Sequence, residues 1–196
     1  MMSLVTKAAP DFRANAVMPD NSIEPFQLSS LRGKYVVLFF YPMDFTFVCP
    51  TELIAFDNAI NRFKELNTEL VSVSVDSEYS HYAWKQTERS KGGVGNLRFP
   101  MVSDFTKKIS RDYGVLVDEA VALRGLFLID KEGIVRHETI NDLPLGRNVE
   151  EALRIVKALQ FTEKYGEVCP ANWSDGAEGL KPTAEGISAY LSRHEK

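Results

Sequence analysis

The sharpest feature of the hydrophobic pattern is an unbroken apolar run at residues 35–41, short and rich in β-branched and aromatic residues. Such a run predicts a strand buried on both faces. Past it the period changes. Leu53, Phe56, Ile60 and Phe63 recur at three- and four-residue steps, one face of a helix that should end near Leu66-Asn67. Residues 70–75 then alternate Leu or Val with Ser. Strand, helix and strand make a βαβ unit, whose crossover implies parallel neighbours.

Turn signals at Pro19-Asp20-Asn21, flanked by short extended runs, predict an N-terminal hairpin over 11–28. Asp76-Ser77-Glu78 leads into a helix over 79–89 with Trp84 on its apolar side. Residues 91–96 read as a flexible glycine-rich loop, 99–103 as a short strand and 105–113 as a short helix. Two runs, 123–130 and 134–140, are joined by Lys131-Glu132-Gly133 as an antiparallel hairpin. Its second strand should lie at a sheet edge, where unpaired backbone is a template for another chain. A long helix follows over 149–165. From Gly166 the periodicity fades into an irregular arm that ends in a helical stretch over 183–192. The expectation is an α/β fold with a sheet domain at 1–165 and a C-terminal arm at 166–196.

Composition narrows the function classes. The 196 residues, 44% hydrophobic and 26% charged, are ordinary globular material. A net charge of −4 with no Lys/Arg cluster argues against nucleic acid or an anionic membrane as partner. No apolar run approaches transmembrane length, and the first residues lack the apolar segment of a signal peptide, so a cytoplasmic location is expected. Cys49 and Cys169 are too few for a disulfide scaffold; in a reducing compartment a bond between them would be transient and catalytic. His81, His137 and His194 are scattered, and no metal centre is expected.

Candidate chemistry gathers where the buried strand meets the helix. Cys49 stands there, followed by Pro50 and, three residues on, Glu52. Proline suits the first helical position, and a glutamate at the third can reach back to the cap residue. Cys49 thus falls at the cap or in the first turn, where unpaired N–H groups and the helix dipole favour an anion. A thiol held there ionises more easily, and the thiolate is the reactive species. From position alone a buried, inert cysteine is an equal reading.

Strand–helix–strand, then hairpin, then closing helix is the order of a thioredoxin-like fold, yet the Cys-x-x-Cys signature of that fold is missing. Pro42, Thr46 and Cys49 instead match Pro-x-x-x-Thr-x-x-Cys, and the segment Phe45-Thr46-Phe47-Val48-Cys49-Pro50-Thr51-Glu52 resembles the active-site segment of the peroxiredoxins. Arg124-Gly125-Leu126-Phe127-Leu128-Ile129-Asp130 resembles the strand that supplies the family's active-site arginine. Glu167-Val168-Cys169-Pro170-Ala171-Asn172-Trp173 resembles the segment around the resolving cysteine of typical two-cysteine members. The likeness runs from about Ala9 to the C-terminus.

The resemblance implies a thiol peroxidase for hydrogen peroxide and small organic hydroperoxides, with no metal, haem or flavin cofactor. Cys49 would attack the peroxide and become a sulfenic acid, and Cys169 of the partner subunit would resolve it. Arg124 would pair with the thiolate, Thr46 would offer its hydroxyl to the peroxide oxygens, and Pro42 would cover the sulfur. Glu52 and Arg147 would orient Arg124. Thioredoxin or a flavoprotein disulfide reductase would re-reduce the disulfide, and homodimers would assemble into a decamer. The chemistry demands more than an ionised thiol. An ordinary thiol is already roughly 3% ionised at neutral pH, so complete ionisation gains only about 30-fold. Enzymes commonly supply on the order of 10⁶, so charge must be stabilised as the O–O bond lengthens. Two rival classes are a disulfide reductase, against which the missing Cys-x-x-Cys counts, and an oligomeric holdase chaperone with inert thiols.

Overall fold

The computed structural model describes residues 3–194. The apolar run forms strand β3 (Tyr35–Phe40), all six of whose residues are buried. Alternate side chains explain this. Val36, Leu38 and Phe40 join a core with Ile109, Tyr113 and Phe127. On the other face Phe39 stacks on Phe56, ring centroids 4.5 Å apart, which adds about 1 kcal/mol to the burial of two rings.

The hairpin β1 (Arg13–Val17) and β2 (Ile23–Gln27) precedes β3. Helices α1 (Cys49–Asn58) and α2 (Ile60–Glu65) follow, then β4 (Thr68–Ser74), α3 (Glu78–Gln86), β5 (Met101–Ser103) and α4 (Lys108–Asp112). A small ribbon, β6 (Leu116–Val117) with β7 (Val121–Ala122), leads into the hairpin β8 (Arg124–Ile129) and β9 (Val135–Asn141). The large sheet has the order β2-β1-β5-β4-β3-β8-β9. β3, β4 and β5 are parallel, and β8 and β9 continue the sheet antiparallel. This is the mixed sheet of a thioredoxin-like fold, with β9 at one edge.

The chain divides into two compact units, one ending at Val149 and the other beginning at Glu150. The second holds nearly all of α5 (Val149–Tyr165) and the whole of α6 (Ala184–His194). Between these helices the backbone is irregular. It is tied by a bridge between Val168 and Leu180 and by Trp173, whose ring lies 5.1 Å from that of Phe161 and whose carbonyl accepts from Arg154.

Four expectations needed correction. The helix after Cys49 is not continuous: it breaks at Ala59, whose N–H bonds to both Ala55 O and Phe56 O at 3.2 Å. The strand after Phe99 starts only at Met101. Residues 114–122, unassigned from sequence, contain the β6–β7 ribbon, turned by Asp118 and Glu119 at φ of 52° and 51°. The glycine-rich loop is tied down rather than loose. Trp84 Nε1 donates to Gly92 O at 2.8 Å, Arg89 Nε donates to Val94 O at 3.1 Å, and Val94 is fully buried. Gly93 is required there, since a Cβ would lie 1.9 Å from Thr87 O.

Candidate active site

β3 ends in the loop 41–48, which delivers Cys49 as the first residue of α1 with Pro50 second. Val48, the residue before, has no side-chain cap; its carbonyl accepts from the N–H groups of Thr51 and Glu52 and from Thr51 Oγ1. The expected cap by Glu52 does not form. Glu52 lies on the buried side of the helix, and two guanidinium groups take both its oxygens.

These contacts assemble the site. Cys49 is fully buried, and Arg124 Nη1 donates to its Sγ at 3.4 Å. The same nitrogen donates to Glu52 Oε2 at 2.7 Å, and Arg124 Nε donates to Leu143 O at 2.7 Å. Arg147 gives Glu52 Oε1 its backbone N–H and Nε, each at 2.8 Å, and gives Oε2 its Nη2 at 2.9 Å. Its Nη1 donates to Phe40 O and Gly125 O at 2.7 Å. Arginine rather than lysine is needed at both positions, because only a planar fork reaches several acceptors at once.

The side chains of Glu52, Arg124 and Arg147 are at most 4% exposed. Burial pushes the Glu52 carboxyl up, but the hydrogen bonds and charge of Arg147, with Arg124 beside it, hold it below its ordinary value. Burial likewise lowers Arg147 despite its contact with Glu52. Two guanidiniums against one carboxylate leave a positive charge uncompensated beside Sγ. A thiolate would balance it.

Of the remaining expected site residues, Pro42 is buried in the same loop. Thr46 is half-buried and its Oγ1 donates to Met43 O at 2.9 Å, which leaves the oxygen lone pairs to accept. Phe45, between them, takes a left-handed φ of 53°, a strained conformation for an aromatic residue. Cys169 lies in the second unit, half-buried, its Sγ 3.6 Å from Ala158 O. Burial raises its thiol above the ordinary value, and the charge of Arg154 offsets this only in part.

Sequence reading missed the cluster that braces the loop. Asp44 accepts from Tyr41 OH, Ser80 Oγ and His81 Nδ1, each at 2.8 Å, and its N–H donates to Asp76 Oδ2 at 2.9 Å. His81 Nε2 faces Val102 O at 3.2 Å, so both ring nitrogens meet acceptors. Burial lowers the His81 pKa, but Asp44 and then Asp76 reverse this and raise it above 6.5. The signal in the sequence was a lone acid, Asp44, between apolar residues.

Among the described residues no group of three His, Cys, Asp or Glu is placed to hold a metal ion, and no helix is long and apolar enough to cross a membrane. A cysteine at a helix start, buried against a paired guanidinium on a thioredoxin-like sheet, defines a thiol enzyme of that fold class.

Comparison with known proteins makes this specific. Residues 5–138 match the AhpC/TSA family, and residues 158–193 match the C-terminal domain of 1-Cys peroxiredoxin. The chain is 52% identical to Peroxiredoxin-1 of Gallus gallus, covering 98% of each chain. It is 57% identical to Alkyl hydroperoxide reductase C of Helicobacter pylori (strain J99), over 97% of this chain and 98% of that one. The solved structure of reduced Plasmodium vivax 2-Cys peroxiredoxin superimposes with a TM-score of 0.96 at 53% identity, covering 97% of this chain and all of that one. The chain belongs to the AhpC/TSA family: it is a peroxiredoxin, an enzyme that reduces peroxides.

Proposed function

We propose that Cys49 is the nucleophile and Cys169 the resolving thiol of a typical two-cysteine cycle. The observation that carries this reading is the 3.4 Å approach of Arg124 Nη1 to a fully buried Cys49 Sγ. The thiolate attacks one oxygen of the peroxide, an S–O bond forms as the O–O bond breaks, and the other oxygen leaves as hydroxide or alkoxide and takes a proton. Arg124 steadies the charge passing between sulfur and oxygen. Because the Thr46 hydrogen is committed to Met43 O, the Thr46 oxygen accepts a hydrogen bond from the peroxide O–H and so aims it. Pro42 shields the sulfur from water.

The product is a Cys49 sulfenic acid. Cys169 of a second subunit then attacks that sulfur; water leaves, and a disulfide forms. The first turn of α1 must open for this, and its uncapped start at Val48 lowers the cost. A thioredoxin-type dithiol, or a flavoprotein disulfide reductase, returns the pair to thiols. Dimers form by pairing of β9, which stands at the sheet edge, and join into a ring of five dimers in the cytoplasm. Substrates are hydrogen peroxide and small organic hydroperoxides.

The test is peroxide loss coupled to NADPH through a thioredoxin system, for wild type, Cys49→Ser and Cys169→Ser. Cys49→Ser should consume none. Cys169→Ser should give a single turnover, and peroxide should produce a disulfide-linked dimer only in the wild type. Turnover by Cys49→Ser, or an oxidised monomer containing a Cys49–Cys169 bond, would overturn the assignment.

A further inference from the structure

The large sheet has a hole on the side away from Cys49. β5 is three residues long and pairs only with residues 72–74 of β4 and with Ala16 and Val17 of β1. In that register residues 69–71 of β4 face residues 18–20, beyond the end of β1, with no strand between them. Pro100, just before β5, has no N–H with which to extend the pairing. The N–H of Ser72 reaches Pro100 O at 3.1 Å on this side of β4. A strand's backbone groups alternate in direction, so the N–H and C=O of Leu70 point the same way, into the gap.

A cavity of about 730 Å³ lies in this gap. That is within the range of small-molecule sites, roughly 300–1,000 Å³. Its wall is apolar where Phe26, Leu70 and Val71 contribute, and Arg13, Lys64 and Arg98 bring cations to it. The charges are unbalanced. Glu69, the acid in the lining, is already paired with Lys34 at 2.6 Å. Arg98 is held by Asp57 through Nε and Nη2, which fixes the guanidinium and leaves Nη1 without a partner among the described residues. Arg13 and Lys64 make no ion pair among the described residues. A guanidinium fixed in place with one free edge is preorganised for a carboxylate.

We infer that this cavity binds a small organic anion with an apolar body, a medium-chain or aryl carboxylate. The tail lies against Phe26, Leu70 and Val71, and the carboxylate meets the cations of Arg13, Lys64 and Arg98. None of these residues touches Cys49, Arg124, Glu52 or Arg147, so occupancy and peroxide chemistry are separable.

The experiment is isothermal titration of the reduced full-length protein with octanoate, and with octan-1-ol as its uncharged counterpart. Octanoate should bind saturably with a Kd on the order of 1 mM or tighter, and octan-1-ol at least about tenfold more weakly. The double variant Arg13→Glu/Lys64→Glu should lose affinity for octanoate by a similar factor while its melting temperature and peroxide reduction stay at the wild-type level. Absence of saturable octanoate binding, equal affinity for the alcohol, or an unweakened double variant would each overturn the inference.

Discussion

The two cysteines occupy opposite kinds of surroundings. Cys49 is fully buried, in contact with a guanidinium that is itself fixed by Glu52 and Leu143 O, and Glu52 is fixed in turn by Arg147. Cys169 is half-buried in an irregular segment, with one weak contact from its sulfur to Ala158 O. A nucleophile that must meet a peroxide in one geometry benefits from a site built before the substrate arrives. A thiol that must travel to another sulfur benefits from few contacts to break. In the proposed cycle, rigidity serves the attack by Cys49 and freedom serves the resolution by Cys169.

The largest effect should come from removing the cation. Arg124→Ala should lower kcat/KM for hydrogen peroxide by roughly 10²–10³-fold in stopped-flow assays, with Glu52 still held by Arg147. A loss under tenfold would mean that the contact to Sγ is not what drives the chemistry. Next is Glu52→Ala, which leaves two buried guanidiniums without their anion. Denaturant unfolding should show a loss of about 3–5 kcal/mol. In the wild type this contribution is present above the ordinary carboxyl value of 4.5 and fades only as pH falls through the lower folded value. Onset of the loss above pH 4.5 would contradict the depressed carboxyl.

The brace around Asp44 should titrate in the other direction. His81 has a raised folded pKa, so its contribution is complete below 6.5 and fades as pH rises through the folded value. His81→Asn should remove this slope and cost about 1.5–3 kcal/mol on the acid side. Parallel stability–pH curves for the two proteins would refute a charged His81. The smallest effect concerns Cys169. In a Cys49→Ser background its alkylation should have a midpoint above 9.0, because burial outweighs Arg154, and Arg154→Ala should raise the midpoint further. A midpoint below 9.0 would place Cys169 among the primed thiols and erase the contrast.

Much of the sheet was legible because burial leaves a strong trace. A short, wholly apolar run rich in β-branched and aromatic residues reads as a strand covered on both faces, as β3 is, and the alternation at 70–75 marked β4 one or two residues off its bounds. The positions of Arg124 and Arg147 beside Glu52 had no such trace; the motif likeness, not periodicity, pointed to them. The break at Ala59 was invisible because Phe56, Ile60 and Phe63 keep one apolar face across it, and no Gly or Pro marks it. Asp118 and Glu119 occupy left-handed turn positions that glycine or asparagine would have advertised. The glycine-rich loop misled for the opposite reason: Gly93 allows close approach to Thr87 and Trp84 ties Gly92 O, so the glycines serve a fixed turn rather than motion.

The break at Ala59 has a thermodynamic consequence. One apolar stripe is divided into two cooperative units, and melting of the first need not propagate into the second. α2 keeps Ile60 and Phe63 in the core, so in the proposed cycle the opening that accompanies disulfide formation has a boundary at the end of α1. Amide hydrogen exchange should show this directly, with faster exchange in α1 of the oxidised protein and unchanged protection in α2 and β4. Loss of protection spreading into α2 would show that the stripe melts as one helix. With the boundary in place, each turn of the proposed cycle becomes a local order–disorder transition confined to α1.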